Sequence, residues 1–520
     1  MSRSESASRR RGGNPDPWSE FLARYGLPGF LGTLLIMVGS LGVGWLPLDT
    51  AVRSWPLIDV LRDSSPGLIL SRLMIFAGVA TLLQTWLVTG YDLMSGHRWN
   101  TWRMSALMGA WSAPLLFGPP LFSRDVYSYF GQGRLLLEGY DPYTTGVSVL
   151  PGWFSYGADP MWGEAAAPYG PLFLLLSRGI AAFSGNQAFL AAIMFRLLAV
   201  VGIVLMLVAI PKLAERHGLD PAKALWLSVL NPLVIMHFVA GAHNDALMVG
   251  LVLVGFALAL EFSPLVGAAA IGLATSVKPI ALLALPFIGL IRAGVVSNLL
   301  NRAWNWVLVS ISAVAAFGVT ALLAGVGMGW VNALSTPGEV KTWLSPPTAL
   351  GMAVGGALQA LGLAPGNDGA VAFFRLIGLV ASLAIVAYLC VRPKGRSAVR
   401  GAALAFGAVV VLGPVIQPWY LLWVLPLFAV TGLSAAQLRW TILLTAAFAV
   451  HGMAESSATA DTLLELTDLV AIAVAIGIVL LILLASPRER QLVLKGPGSR
   501  GLQPETPSAQ ARADSLVILA

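Results

Sequence analysis

FSRDVYSYFGQGRLLLEGYDPY, residues 122–143, is a polar and aromatic island between two apolar stretches. The run before it closes with GPPLFS, where Pro119 and Pro120 stop a helix. Charge is costly inside lipid, so an acid flanked by Arg, Tyr and Gln at such a boundary belongs at the membrane–water interface. The stretch reads as chemistry performed on a polar substrate at a membrane surface, by an enzyme rather than a pore. Val126, Tyr129, Phe130 and Gly133 recur at helical spacing and predict an amphipathic interfacial helix over 125–137. Asp125 opens that helix, Arg124 precedes it, and Arg134 lies further along it.

The rest of the chain supports the membrane reading. Of 520 residues, 57% are hydrophobic and 11% charged, whereas soluble domains carry about 25% charged residues. The formal charge of +7 sits mainly in short loops and tails, so nucleic acid is not implied as a partner. A single cysteine, Cys390, rules out an intrachain disulfide and a cysteine-based metal site. No cleavable signal peptide is evident.

Apolar runs at 27–46, 68–89, 104–120, 188–210, 222–240, 244–261, 264–275, 279–291, 303–325, 369–391, 398–415, 418–432, 437–452 and 467–485 predict an all-α polytopic protein with about fourteen transmembrane helices. The pieces 264–275 and 279–291 are short and read as a broken or tilted pair. Lys and Arg alternate with Asp and Glu from loop to loop only if 172–183 and 349–363 do not span; both are therefore expected to be juxtamembrane or re-entrant. The same rule puts both termini in the cytoplasm and the loop 121–187 outside. The expected organisation is a basic tail over 1–25, one membrane domain over 26–486 and a disordered cytoplasmic tail over 487–520.

Several residues are placed to do chemistry. Asp125 is either a catalytic carboxylate or an N-cap for its helix. His243, Asn244 and Asp245 in GAHNDALM (241–248) sit between two spans, as caps of a tight hairpin or as substrate contacts. Lys278 is the only charge between Glu261 and Arg292; it either snorkels to head groups or binds a phosphate. Gln417, Trp419 and Tyr420 in GPVIQPWYLLW (413–423) form an aromatic belt or a sugar-stacking surface. Trp153, Tyr156, Trp162 and Tyr169 suit carbohydrate stacking or interface anchoring. Arg178, Arg196 and Arg375 are interface snorkellers or lipid-phosphate contacts. No GxxxxGK[ST] or other nucleotide-binding signature occurs, so an activated donor would be presented within the membrane, as a polyprenyl-phosphate sugar is.

RDVYSYFGQGRLLLEGYDPY (124–143), APYGPLF (167–173), LNPLVIMHFVAGAHNDALMVG (230–250), SVKPIALLALPF (276–287) and QPWYLLWVLPL (417–427) resemble, in order over roughly 25–485, the actinobacterial polyprenol-phosphate-mannose-dependent α-1,6-mannopyranosyltransferases. These are GT-C membrane glycosyltransferases with a large first external catalytic loop. GAHND and GVGMGW (325–330) look more like the paralogue that extends the mannan core of lipomannan and lipoarabinomannan than the one that starts it. The resemblance implies a β-mannosyl phosphoryl polyprenol donor and a phosphatidyl-inositol mannoside or lipomannan acceptor. Transfer would invert the anomeric centre at the external face of the plasma membrane. It implies Asp125 as general base, and Lys278 with Arg124 or Arg196 as cations on the donor phosphate. The expected substrate contacts are Tyr127, Tyr129, Gln132, Arg134, Tyr169, His243, Asn244, Asp245, Gln417, Trp419 and Tyr420. Tyr127 stands where GT-C members with an Asp-x-Asp pair carry a second acid, so neither a metal nor another cofactor is expected. Transfer of another polyprenyl-phosphate sugar such as arabinose, or transport of a lipid-linked sugar, are the rival readings.

Overall fold

A computed structural model describes residues 17–454, except 295–296, 364 and 394, together with 502–503. The helices include α1 (Trp18–Val43), α2 (Ser65–Met94), α3 (Asp125–Leu137), α4 (Pro171–Ser184), α5 (Ala188–Arg216), α6 (Asp245–Glu261), α7 (Pro264–Thr275), α8 (Leu299–Ala324), α9 (Pro346–Ala360) and α10 (Asp368–Val391). Among the described residues there is no β-strand, only an isolated bridge between Leu433 and Leu502. That bridge gives one point of the tail over 487–520 a backbone partner; the rest of that tail, residues 1–16 and the run at 467–485 lie outside the described residues.

Five helices, α1, α2, α5, α8 and α10, are long and apolar enough to cross a membrane, and a bent pair makes a sixth candidate. Several of the other expected runs are shorter because proline breaks them, whereas the run at 437–452 is one unbroken helix, Ala435–Ala454. The run at 104–120 leaves α-helix at Ser112 and tightens into a 3-10 turn over Ala113–Leu116 around Pro114. The run at 222–240 divides at Asn231-Pro232, between Pro221–Ser228 and a π-helical Val234–Ala240. The expected break between 264–275 and 279–291 is present: α7 ends at Thr275, and the chain restarts as a 3-10 turn at Pro279–Ala284 with Lys278 as its N-cap residue. α4 and α9 have 14 and 15 residues, fewer than the about 20 that a straight crossing needs.

Helix α3 has the bounds expected from the sequence but not the expected environment. It is not an exposed surface helix: Val126 through Gly133 are buried, and the helix packs on α4 and α5. Gly133 permits this, since a Cβ there would stand 2.2 Å from the Ser177 carbonyl oxygen of α4. A similar close approach seats α6 on α5, where a Cβ on Gly202 would fall 2.3 Å from the Ala246 backbone.

Broken helices leave carbonyl groups without intrahelical partners, and buried arginines take them up. Arg196, wholly buried, donates to Leu116 and Gly118 at the end of one segment and to Val239 and Ala240 at the end of another. Arg62 binds the carbonyls of Leu41 and Gly44, Arg178 those of Leu323 and Ala324, and Arg375 those of Gly338 and Val340. The lipid-phosphate reading of Arg178, Arg196 and Arg375 is therefore replaced by a structural one. Backbone carbonyls inside the protein are the nearer acceptors.

Candidate active site

Several chain segments converge on one cavity of about 860 Å³. Asp125 enters from the start of α3, Tyr169 from the segment before α4, Lys278 from the break after α7, and Gln417, Trp419 and Tyr420 from the segment ahead of Leu421–Ala429. Two sharp backbone features aim these groups. Val234–Ala240 and α6 meet at 112°, which turns His243 and Asp245 toward the α3 N-terminus. Phe122 and Ala242, with φ of 64° and 55°, are the two non-glycine residues with positive φ among the described residues. Each lies within three residues of a candidate site residue. Strain of this kind persists only where the surroundings over-determine it.

The polar groups form a connected set. Asp125 Oδ2 lies 3.8 Å from His243 Nδ1, which is also 4.0 Å from Asp245 Oδ2 and 3.4 Å from the Tyr129 hydroxyl. Asp245 is fully buried; Lys278 donates to its Oδ1 at 2.8 Å and the Trp423 indole N–H donates at 2.6 Å. The His243 ring stacks on Trp419, with centroids 4.0 Å apart. The Lys278 ammonium sits 5.2–5.9 Å from the ring centres of Trp423, Tyr420 and Tyr169, a cationic position with aromatic walls.

Asp125 is not an N-cap. It is the first helical residue, its carboxylate caps nothing, and its own N–H donates to Ser123 Oγ. Its side chain is 23% exposed, onto the cavity. Burial pushes its carboxyl up to about 6; the nearby acids Asp159 and Asp245 push the same way, against Lys278 and the Ser123 contact. A carboxylate with a pKa near 6 is a competent base at neutral pH, since general bases work best when their pKa lies near the operating pH. Among the described residues no group of three or more His, Cys, Asp or Glu has a metal-holding arrangement.

Residues 26–294 match the alpha-(1->6)-mannopyranosyltransferase N-terminal domain family, and residues 347–484 match the MptB C-terminal domain. A probable alpha-(1->6)-mannopyranosyltransferase of Mycolicibacterium smegmatis is 34% identical over 448 residues, covering 78% of this chain and 79% of that protein. The chain belongs to the alpha-(1->6)-mannopyranosyltransferase family. Alpha-(1->6)-mannopyranosyltransferase A of Mycobacterium tuberculosis is 33% identical over 454 residues, 82% of this chain and 85% of its own. Its Corynebacterium glutamicum namesake is 30% identical over 376 residues, 68% and 77% respectively. No solved structure matches. The chain is thus a mannosyltransferase enzyme, and its helices are those of a polytopic GT-C membrane glycosyltransferase.

Within this mannosyltransferase the site residues expected from sequence fall into three groups. Asp125, Gln132, Tyr169, Lys278, Gln417, Trp419 and Tyr420 line the cavity. Tyr129, His243, Asn244 and Asp245 stand directly behind it, buried. Arg124, Tyr127, Arg134 and Arg196 are directed elsewhere. Arg124 binds the carbonyls of Gly157 and Ala158 and stacks over Trp45; Tyr127 donates to the Trp45 carbonyl; Arg134 pairs with Glu138. Like Arg196, Arg124 donates to backbone carbonyls within the protein, which turns both guanidinium groups away from the donor-phosphate role expected of them. Trp423, which holds Asp245, and His237, whose ring lies 5.3 Å from Trp419, carried no role in the sequence reading. The aromatic cluster after Gln417 was a signal for the first; a lone His within an apolar run gave none for the second.

Proposed function

We propose that the protein transfers mannose from polyprenyl-phosphate-mannose to the 6-hydroxyl of an α-1,6-mannan acceptor built on a phosphatidyl-inositol mannoside, extending a lipomannan-type chain. The observation that carries this reading is Asp125 and Lys278 on one cavity, a base and a cation, beside an apolar wall that includes Leu282, Leu283, Val409 and Val410. The wall suits a polyprenyl chain and Lys278 suits its phosphate. Asp125 takes the proton of the acceptor hydroxyl as the oxygen attacks C1. The C1–O bond to the phosphate breaks on the opposite face, the lipid phosphate leaves with the electron pair, and the configuration inverts. The leaving phosphate is already an anion of low basicity, so a positioned cation is sufficient to offset its charge.

The test is a reconstituted assay with radiolabelled polyprenyl-phosphomannose and short α-1,6-oligomannosides, followed by linkage analysis. A radiolabelled product joined 1→6 is expected; no incorporation, or another linkage, would remove the reading.

The reaction belongs, on this proposal, at the external face of the plasma membrane, with both termini in the cytoplasm. Val149 in the 121–187 loop is 47% exposed. With buried Cys390 replaced, Val149→Cys is expected to react with a membrane-impermeant maleimide on intact cells. Labelling only after permeabilisation would invert the topology.

A further inference from the structure

Asp125 is not the only residue of α3 that faces the cavity. Ser128 and Gln132 line it too, and positions 125, 128 and 132 share one helical face. The stripe rises about 10 Å over those seven residues. Both added residues are buried, Ser128 at 4% and Gln132 at 6% exposure. Yet Ser128 Oγ and Gln132 Oε1 have no hydrogen-bond partner among the described residues. Trp330, from the GVGMGW stretch after α8, lines the same cavity, and its indole N–H is also buried and without such a partner. Each buried polar atom left unmade costs about 1–3 kcal/mol, and the helix could have carried apolar residues at these positions.

We infer that Ser128, Gln132 and Trp330 form a subsite for the second sugar of the acceptor, the residue behind the one whose hydroxyl reacts. The chemistry fits a pyranose. An amide and a hydroxyl offer donors and acceptors to ring hydroxyls, and an indole adds an apolar face and one N–H. The stripe begins at the proposed base, so a glycan laid along it presents its terminal hydroxyl to Asp125. The subsite rests on the proposed mannan acceptor, and it makes acceptor length a property of α3 and Trp330.

The test compares octyl α-mannoside with octyl α-1,6-mannobioside as acceptors for the full-length wild-type enzyme and for Gln132→Met, Ser128→Ala and Trp330→Phe. Wild type is expected to favour the disaccharide in kcat/KM. Loss of one such contact should reduce that preference about ten-fold in Gln132→Met and by a smaller factor in the other two. A ratio of rates within one preparation is independent of how much enzyme is folded, and Trp330→Phe probes the subsite from a different element. Transfer by wild type without a length preference, or a preference that survives in all three variants, overturns the subsite alone. Absence of transfer to either acceptor overturns the acceptor reading and the subsite with it.

Discussion

Asp125→Asn is expected to remove nearly all mannosyl transfer while making the protein more stable at neutral pH. The two effects have one cause. Burial raises the Asp125 carboxyl from 3.8 to about 6, which both prepares it as a base and penalises its charged form. Loss of a positioned base costs about 10²–10⁴-fold in rate. For stability, a carboxyl whose pKa is raised on folding contributes nothing unfavourable below the unfolded value. Its charge then opposes folding progressively as pH rises through the folded value. The neutral amide lacks that penalty, so the variant should gain roughly 2–3 kcal/mol at pH 8, with the gain fading between pH 6 and 4. In the wild type, kcat/KM should fall with an apparent pKa near 6 as the base is protonated. Transfer rates and thermal midpoints at pH 4.5 and 8 decide the matter. Activity within a few-fold of wild type would move attention to Asp245; a lower midpoint at pH 8 would show the carboxylate to be a structural contact.

Lys278→Ala is expected to do two kinds of damage that a second substitution separates. The ammonium is the partner of Asp245, which is fully buried. Stripping one member from a buried pair leaves an uncompensated charge, at about 3–5 kcal/mol. The single variant should therefore be both unstable and poor at using donor. Adding Asp245→Asn removes the stranded charge and should restore most of the stability, with Trp423 keeping a hydrogen-bond acceptor. If Lys278 also meets the donor phosphate, kcat/KM for polyprenyl-phosphomannose should remain depressed in the stable double variant. Recovery of donor kinetics along with stability would reduce Lys278 to an internal counter-ion.

The contrast between these two residues shows what the sequence made legible. Asp125 and the bounds of its helix could be read locally, because Pro119 and Pro120 end the preceding run and the apolar spacing after Asp125 is helical. That the same helix is buried could not: it depends on Gly133 meeting Ser177, a contact between helices. Lys278 looked like an isolated cation since no acid lies near it in the chain; its partner is 33 residues away, and Trp423 reaches the same carboxylate from 178 residues away. Arg124 misled for the opposite reason. Arginine beside a candidate acid suggests an anion site, but its acceptors are the carbonyls of Gly157 and Ala158, far along the chain. Lengths of apolar runs were readable; the proline-induced shortening of several of them was only partly so.

Arg196 carries a consequence for genetics. Its guanidinium moors residues 116–118, a few positions ahead of Asp125, to residues 239–240, a few positions ahead of His243 and Asp245. The spacing of the two acids is thus set by a cation that meets neither sugar nor lipid. In a saturation screen scored by mannan production, Arg196 should be as intolerant as Asp125, and lysine should not rescue it, because one ammonium cannot reach both segments with the geometry of a planar fork. An inventory of inactivating alleles would therefore enrol Arg196 among the catalytic residues, although its work is that of a surveyor's peg.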